Sequence, residues 1–316
     1  MKVIVLSSKS SHKDLFTYGA ELMDELHKTA PTVTYDHIEP DFSNIPELFD
    51  ADEKIVLFNH FALPDGFTKF SENLPKFKNV QYLLSPYSAY EGLNLELLKK
   101  LNVRYRNNGG ANANSVAQYA LTVMLMLLSK FPVFTQSSTM PNGAELGEEF
   151  HNKSVGIIGM GNVGRCLLKS VNGLGMKAAF YNRKRLSEAA PQVSFDEAVK
   201  SDIIFITIAT NEETKALLKD FAAKLEPHQY VIDISAADDL YDKSAVVELL
   251  NKDLLRGYGL EIFDPQQLKL SSHKNFVATP HIAWCTADAE QRTVQNYLRR
   301  TLAILKGEAD SIDFIV

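Results

Sequence analysis

Residues Ser154 to Arg185 read SVGIIGMGNVGRCLLKSVNGLGMKAAFYNRKR, and the fold follows from how this stretch is divided. The apolar run Val155 to Ile158 has the character of a buried parallel strand, and Gly159, Gly161 and Gly164 follow at GxGxxG spacing where a helical pattern begins. Each glycine has a physical task. Gly159 permits the tight turn, Gly161 lets backbone approach a pyrophosphate, and Gly164 lets the helix pack closely on the strand. Helix N-terminal amides then face the phosphate charge, so Gly159, Gly161, Asn162, Val163 and Gly164 are expected to hold a dinucleotide. A second strand ending at Tyr181 completes half of a nucleotide-binding unit.

The rest of the chain extends this rhythm in both directions. KVIVLSS, a helix through Leu15 to Leu26, VTYDHI, KIVLFNH, Val80 to Leu84, a helix over Leu93 to Leu101 and VRYR form a first α/β layer without a glycine fingerprint. The turn-rich Asn107-Asn108-Gly109-Gly110 marks a boundary, and Asn112 or Asn114 is placed to cap the apolar helix Ser115 to Lys130. Pro132 to Asn152 reads as an exposed excursion. Beyond Arg185 come DIIFITIA, a helix around Glu213 to Leu225, YVIDIS, a helix around Lys243 to Leu250, GYGLEIF and NFVATP as later strands and helices of one sheet. Ala287 to Leu305 has apolar residues at helical spacing and is expected to return to the first layer. The fold class is therefore α/β, with two Rossmann-like doubly wound parallel sheets. The first domain is expected to be discontinuous, residues 1–109 plus 286–316, and the dinucleotide-binding domain to be residues 110–285.

Composition narrows the partners. With 316 residues, 45% hydrophobic and 23% charged, the chain has material for two cores. A net charge of -6 from interspersed residues gives no support to a nucleic-acid partner. The longest apolar run, near Ala120 to Leu128, is too short for a bilayer, and MKVIVLSSKSS lacks a signal-peptide plan, so no membrane and a cytoplasmic location are expected. Cys166 and Cys285 form no CxxC or zinc spacing and read as packing residues. No HExxH or GxSxG occurs, which leaves metallohydrolase and serine hydrolase chemistry unsupported, and no metal is expected.

The end of the second Rossmann strand decides the nucleotide. An acidic residue there binds the adenosine ribose hydroxyls of NAD. Here the place holds Asn182, followed by Arg183 and Lys184. That removes a carboxylate that repels a 2′-phosphate and supplies two cations that attract one, so NADP(H) is preferred, with NAD(H) possible. Thr207, at the end of DIIFITIA, and Glu261 complete the expected cofactor-binding set.

Three further blocks carry a resemblance: NANSVAQ at Asn112 to Gln118, GLEIFDPQQL from Gly259, and above all TPHIAW at Thr279 to Trp284, followed by a polar helix with Arg292. Together with VGIIGMGNVG they resemble the D-isomer-specific 2-hydroxyacid dehydrogenase family over nearly the whole chain, in particular its glycerate dehydrogenase or hydroxypyruvate reductase branch. The resemblance implies two α/β domains, an active site in the cleft, a small-molecule substrate, hydride transfer between a nicotinamide and a 2-keto acid, and usually a homodimer. It also implies a histidine that protonates the carbonyl oxygen, a glutamate that charges the histidine, and an arginine that binds the substrate carboxylate.

Of these three, His281 matches the histidine. Ala236 stands at the arginine position and Gln266 at the glutamate position. The family's glycine-containing substrate loop is replaced by Ser85-Pro86-Tyr87-Ser88-Ala89-Tyr90. The arginine and the amide loop both serve a carboxylate, so their joint change points to a substrate other than a simple 2-keto acid. Tyr87, Ser88, Ala89 and Trp284 are candidate substrate contacts, with packing as the alternative role for Tyr87 and Trp284. Loss of a charged donor aimed at an oxyanion typically costs about 10²- to 10³-fold in rate. Glutamine in place of glutamate moves the His281 pKa downward. Asp264 or Glu261 is placed to approach His281 instead, while Glu261 also matches the aspartate that the family points at the nicotinamide amide. The chain thus reads as an NADP(H)-dependent oxidoreductase that reduces a carbonyl with His281 as acid/base. The alternatives are a catalytically impaired NADP(H)-binding regulatory pseudoenzyme, and a conventional reductase with another cation in the arginine's role.

Overall fold

The structure is a computed structural model and describes residues 1–135, 146–262, 271 and 273–316. Gln266, Asp264 and part of the excursion after Pro132 lie outside the described residues. In chain order the strands and helices are β1 (Lys2–Leu6), α1 (Lys9–Thr29), β2 (Thr32–Tyr35), β3 (Lys54–Phe58), α2 (Gly66–Asn73), β4 (Val80–Leu84), α3 (Leu95–Lys100), β5 (Arg104–Arg106), α4 (Ala113–Leu128) and α5 (Phe131–Phe134). They continue with β6 (Ser154–Ile158), α6 (Asn162–Gly173), β7 (Lys177–Tyr181), α7 (Phe195–Val199), β8 (Ile203–Ile206), α8 (Glu212–Leu218), β9 (Tyr230–Asp233), α9 (Lys243–Asn251), β10 (Gly257–Glu261), β11 (Phe276–Thr279) and α10 (Ala287–Leu305). The chain divides into two units, Met1–Asn112 with Thr286–Val316, and Ala113–Cys285. Both are built on all-parallel sheets.

In the first unit the strand order is β2-β1-β3-β4-β5. β1 and β3 are continuous apolar runs because helices cover both of their faces. One face carries a phenylalanine-rich core in which Phe58 stacks on Phe70 with ring centroids 5.2 Å apart. On the other face α1 packs against α10 at Gly19, where an added Cβ would lie 2.5 Å from Leu298 Cδ1. Glycine there lets the two helices approach, so the closing helix is fastened to the first. The last residues finish the sheet: Ile315 N donates to Tyr105 O at 2.8 Å and Tyr105 N donates to Val316 O at 3.0 Å, which covers the β5 edge.

In the second unit the order is β11-β10-β9-β8-β6-β7. The chain leaves β6 for β7 on one side and then crosses to β8 on the other, so the order reverses between β6 and β8. A crevice outside the carboxyl ends of two such strands is where open α/β sheets bind ligands. Several elements differ from the sequence reading, among them α2 and α5, which it did not anticipate, and two later in the second unit. The helix expected to reach Leu225 ends at Leu218, and a 3-10 turn follows over Ala222–Lys224, which returns both Leu218 and Phe221 to one core cluster. The short helix α7 was not anticipated, although Ser194 and Glu197 form a capping box at its start.

Candidate functional site

The glycine turn shows the physical features of a nucleotide cradle. Gly159 has φ of +104°, and a Cβ there would lie 2.5 Å from Ile208 Cγ2. A Cβ on Gly164 would lie 2.2 Å from the Gly159 carbonyl oxygen, so only glycine lets α6 close on the turn. Gly161 is different, because a Cβ there would meet nothing within 4 Å. Nothing in the protein's own packing requires glycine there, which leaves this stretch of backbone open to approach. Thr207 Oγ1 donates to the Gly159 carbonyl at 2.7 Å and fastens β8 to the turn across the switch point. Asn162 is exposed and Val163 half-buried in the first turn of α6, whose amide end follows the turn directly.

Beside the cradle lies a cavity of about 580 Å³ lined by Asn182, Arg183, Lys184, Asn211 and Glu213, among others. Asn182 is a brace. Its Oδ1 accepts Met160 N at 3.2 Å and its Nδ2 donates to Lys184 O at 2.9 Å, so it ties the glycine turn to the cationic loop. Arg183 forms an ion pair with Glu213 across the cavity. Sequence reasoning missed Glu213, because the pairing depends on a helix thirty residues downstream.

The carboxyl ends of β9, β10 and β11, adjacent in the sheet, assemble the other group of side chains. Glu261 closes β10 and is 1% exposed. Its Oε2 accepts Ala283 N at 2.8 Å, and its Oε1 accepts Ile282 N at 3.2 Å together with the Thr279 hydroxyl. Thr279 in turn bonds the Tyr119 hydroxyl on α4, and Ser115 Oγ donates to Ala283 O at 2.7 Å. The TPHIAW loop is thereby held at both ends. Between these anchors His281 adopts φ of +51°, with its N–H directed to Thr279 O at 3.0 Å. A left-handed histidine costs about 1–3 kcal/mol and persists only where surrounding structure enforces it. The His281 pKa lies below its ordinary value because burial disfavours the cation, while Glu261 and Asp238 act in the opposite direction. Trp284 is half-buried on the same loop.

Ala236, expected from the sequence to stand at the arginine position, also has a left-handed backbone, with φ of +54°. A buried network holds its loop. Asp233, fully buried at the end of β9, accepts Ser235 N at 2.9 Å and the Tyr241 hydroxyl at 2.9 Å, and Tyr241 bonds Tyr258 at 2.8 Å. Lys243, 5% exposed, donates to the Ala237 carbonyl, and burial lowers its pKa. Lys243, at the start of α9, thus braces the Ala236 loop through one of its donors.

In the first unit, Tyr87 and Ser88 sit on a fastened loop. Asn108 N donates to Tyr87 O at 3.1 Å and Asn107 Nδ2 to Ser88 O at 2.6 Å. Tyr87 is half-buried with its phenol pushed up to about 12, burial being the main cause, whereas Ser88 is exposed and Ala89 half-buried.

Residues 121–283 match the family model described as D-isomer specific 2-hydroxyacid dehydrogenase, NAD binding domain. The chain belongs to the D-isomer specific 2-hydroxyacid dehydrogenase family. It is 26% identical over 257 residues to the glyoxylate reductase of Thermococcus litoralis, covering 75% of this chain and 76% of that one. It is 27% identical over 228 residues to the hydroxypyruvate reductase of Thermotoga maritima, covering 68% and 74% respectively. Among solved structures, an acyclic imino acid reductase in complex with NADPH and D-Arg superposes with a TM-score of 0.80 at 20% identity over all of both chains, a likeness of fold. The two parallel-sheet domains expected from sequence are present, and this family member is an NAD(P)-dependent oxidoreductase acting on CH-OH groups. No helix among the described residues is long and apolar enough to cross a membrane.

Proposed function

We propose that this protein is an NADP(H)-dependent reductase in which His281 donates the proton to the carbonyl oxygen of a substrate other than a simple 2-keto acid. The observation that carries this reading is the left-handed His281 on a loop anchored through Glu261, Thr279 and Tyr119, in the same unit as an intact glycine cradle. Strain at a single histidine, enforced by a buried carboxylate, is the mark of a side chain whose direction matters.

The cradle fits a dinucleotide, since Gly159 and Gly164 are fixed by internal contact and Gly161 leaves its approach open. Backbone at Gly161 and the first turn of α6 would hold the pyrophosphate, and the Asn182 to Lys184 loop the adenosine end. The bound nicotinamide supplies or receives the hydride. Arg183 and Lys184 favour a 2′-phosphate, with Glu213 moderating the attraction through its pair with Arg183.

His281 holds the proton that the carbonyl oxygen receives. Glu261 fixes the loop that aims it, and Glu261 with Asp238 favours its protonated form against burial. Ala236 offers no charged donor for a carboxylate, and Lys243 gives one of its donors to the Ala237 carbonyl. A homodimer and a cytoplasmic location accompany the reading as proposals from the family resemblance.

The test is NADPH oxidation over a panel of 2-keto acids, aldehydes, ketones and imines, with dissociation constants for NADPH and NADH measured alongside. Turnover that exceeds an His281→Ala control, and tighter NADPH than NADH, are expected. NADPH binding without turnover on any carbonyl would instead establish the regulatory pseudoenzyme.

A further inference from the structure

None of the chain's nine arginines precedes Arg104, and three of them, Arg106, Arg299 and Arg300, line one cavity of the first unit together with Asp313. Arg106 closes β5, Arg299 and Arg300 lie in the last third of α10, and Asp313 follows the 3-10 turn Ala309–Ser311 that leads the chain back to the sheet edge. The cavity holds about 360 Å³, and Ala303 and Ile312 give it an apolar wall.

The three guanidinium groups are short of acceptors. Arg106 makes no hydrogen bond among the described residues, and its one ion pair there is to Asp313 at 3.7 Å, a carboxylate whose side chain is 95% exposed. Such a pair contributes little. Arg299 is exposed and has neither a hydrogen bond nor an ion pair among the described residues. Arg300 is half-buried, and its Nη1 donates to Asn107 O at 3.1 Å and Asn108 Oδ1 at 2.9 Å, both neutral acceptors. Its Nε and Nη2 have no acceptor among the described residues, and none of these spare donors is sealed from solvent. The other nearby acid, Asp310, lies against Arg104 instead. Charge points the same way. Burial and the charge of Arg106 both hold the Arg300 pKa below its ordinary value, so the two cations repel one another. The lining leaves two positive charges unbalanced in a chain whose net charge is -6.

We infer that this cavity binds a phosphoryl dianion, of a small phosphate monoester or of free phosphate, held by Arg106, Arg299 and Arg300. Guanidinium forks meet the oxygens of a phosphoryl group in pairs, which a lysine cannot do. A dianion balances the unpaired charge, whereas a monocarboxylate balances half of it. The site uses neither His281 nor the glycine cradle and its test requires no nucleotide, so its failure is separate from failure of the proposed reductase activity.

Isothermal titration of the full-length chain at about pH 8, where phosphate monoesters are divalent, compares methyl phosphate, inorganic phosphate, dimethyl phosphate and acetate. Because Arg183 and Lys184 line the cofactor cavity, each titration is repeated on a chain carrying Arg183→Ala and Lys184→Ala. Methyl phosphate is expected to bind saturably to both chains, with a dissociation constant of about a millimolar for a ligand of its size. Dimethyl phosphate, with one charge, and acetate should bind at least tenfold more weakly. Inorganic phosphate matching methyl phosphate would mark free phosphate as the occupant, and weaker inorganic phosphate would mark an ester; either result supports the site. Arg106→Gln and Arg299→Gln should each weaken methyl phosphate about tenfold, with melting temperatures close to the parent as the control for folding. Arg106→Lys, which keeps the charge without the fork, should lie between. Arg299 is exposed, so Arg299→Gln carries the test if Arg106→Gln fails to fold. No saturable methyl phosphate binding, binding lost with Arg183 and Lys184, or binding unchanged by the glutamine variants would overturn the assignment. Acetate that binds as tightly as methyl phosphate would do the same.

Discussion

Glu261 Oε2 accepts the Ala283 amide hydrogen at 2.8 Å, and this bond fastens the end of β10 to the loop that carries His281. An aspartate ends one methylene earlier. The longer side chain lets a residue at the end of a strand reach two successive amides of the neighbouring loop.

Removing that carboxylate should separate stability from activity. Glu261→Ala leaves the Ile282 and Ala283 amides unmatched, a loss of about 1–3 kcal/mol measurable as a shifted urea midpoint. NADPH oxidation should fall further, on the order of 10²-fold, because small displacements of a proton donor are costly. Glu261→Gln, which keeps an acceptor, should lie between. An active Glu261→Ala protein would show that the loop holds His281 without it.

The three glycines of the cradle should respond differently to alanine. Gly164→Ala places a Cβ 2.2 Å from the Gly159 carbonyl and should destabilise the second unit. Gly161→Ala meets nothing within 4 Å, so the unliganded protein should melt at the parent temperature while NADPH binds about tenfold more weakly. Differential scanning calorimetry with and without NADPH reads both effects. Undiminished NADPH affinity in Gly161→Ala would place the pyrophosphate elsewhere.

Glu213→Gln should release Arg183 from its ion pair. Exposed pairs contribute about 0–1 kcal/mol, so the NADPH to NADH affinity ratio should rise by at most about fivefold. Fluorescence titration of both nucleotides measures the ratio. A fall in the ratio would mean that Glu213 contacts the cofactor by itself.

His60 stacks on Phe67 with ring centroids 4.2 Å apart, and burial lowers its pKa to about 4 from the ordinary 6.5. Between these values the unfolded chain binds a proton that the folded chain refuses, so stability falls as pH drops from 6.5 towards 4. Above 6.5 and below 4 this residue adds no further slope. Urea midpoints across that range should show a shallower decline in His60→Phe than in the parent, and parallel declines would assign the titration to other groups.

The sheets, their strands and the nucleotide turn were legible in the sequence because they are local. Apolar runs bounded by glycine or polar turns identify β6 and β8 without knowledge of their partners. The site was legible only in part. His281 stood out through TPHIAW, yet the bonds that position it join Tyr119, Glu261 and Ala283, residues far apart in the chain. The same holds for Arg183 and Glu213, whose pairing is a product of topology. Helix α8 was read too long because Leu218 and Phe221 fit one helical face, while the chain turns between them.

The role of His281 as proton donor is tested most directly by the pH dependence of kcat/KM for NADPH-dependent reduction. Because burial holds the His281 pKa below its ordinary value, the protonated donor is depleted as pH rises through that lowered pKa. The expected result is a fall of roughly tenfold per pH unit above that pKa, absent from a slower and pH-independent His281→Ala protein. A wild-type profile that is flat from acid to neutral pH, or one that His281→Ala reproduces, would contradict the account.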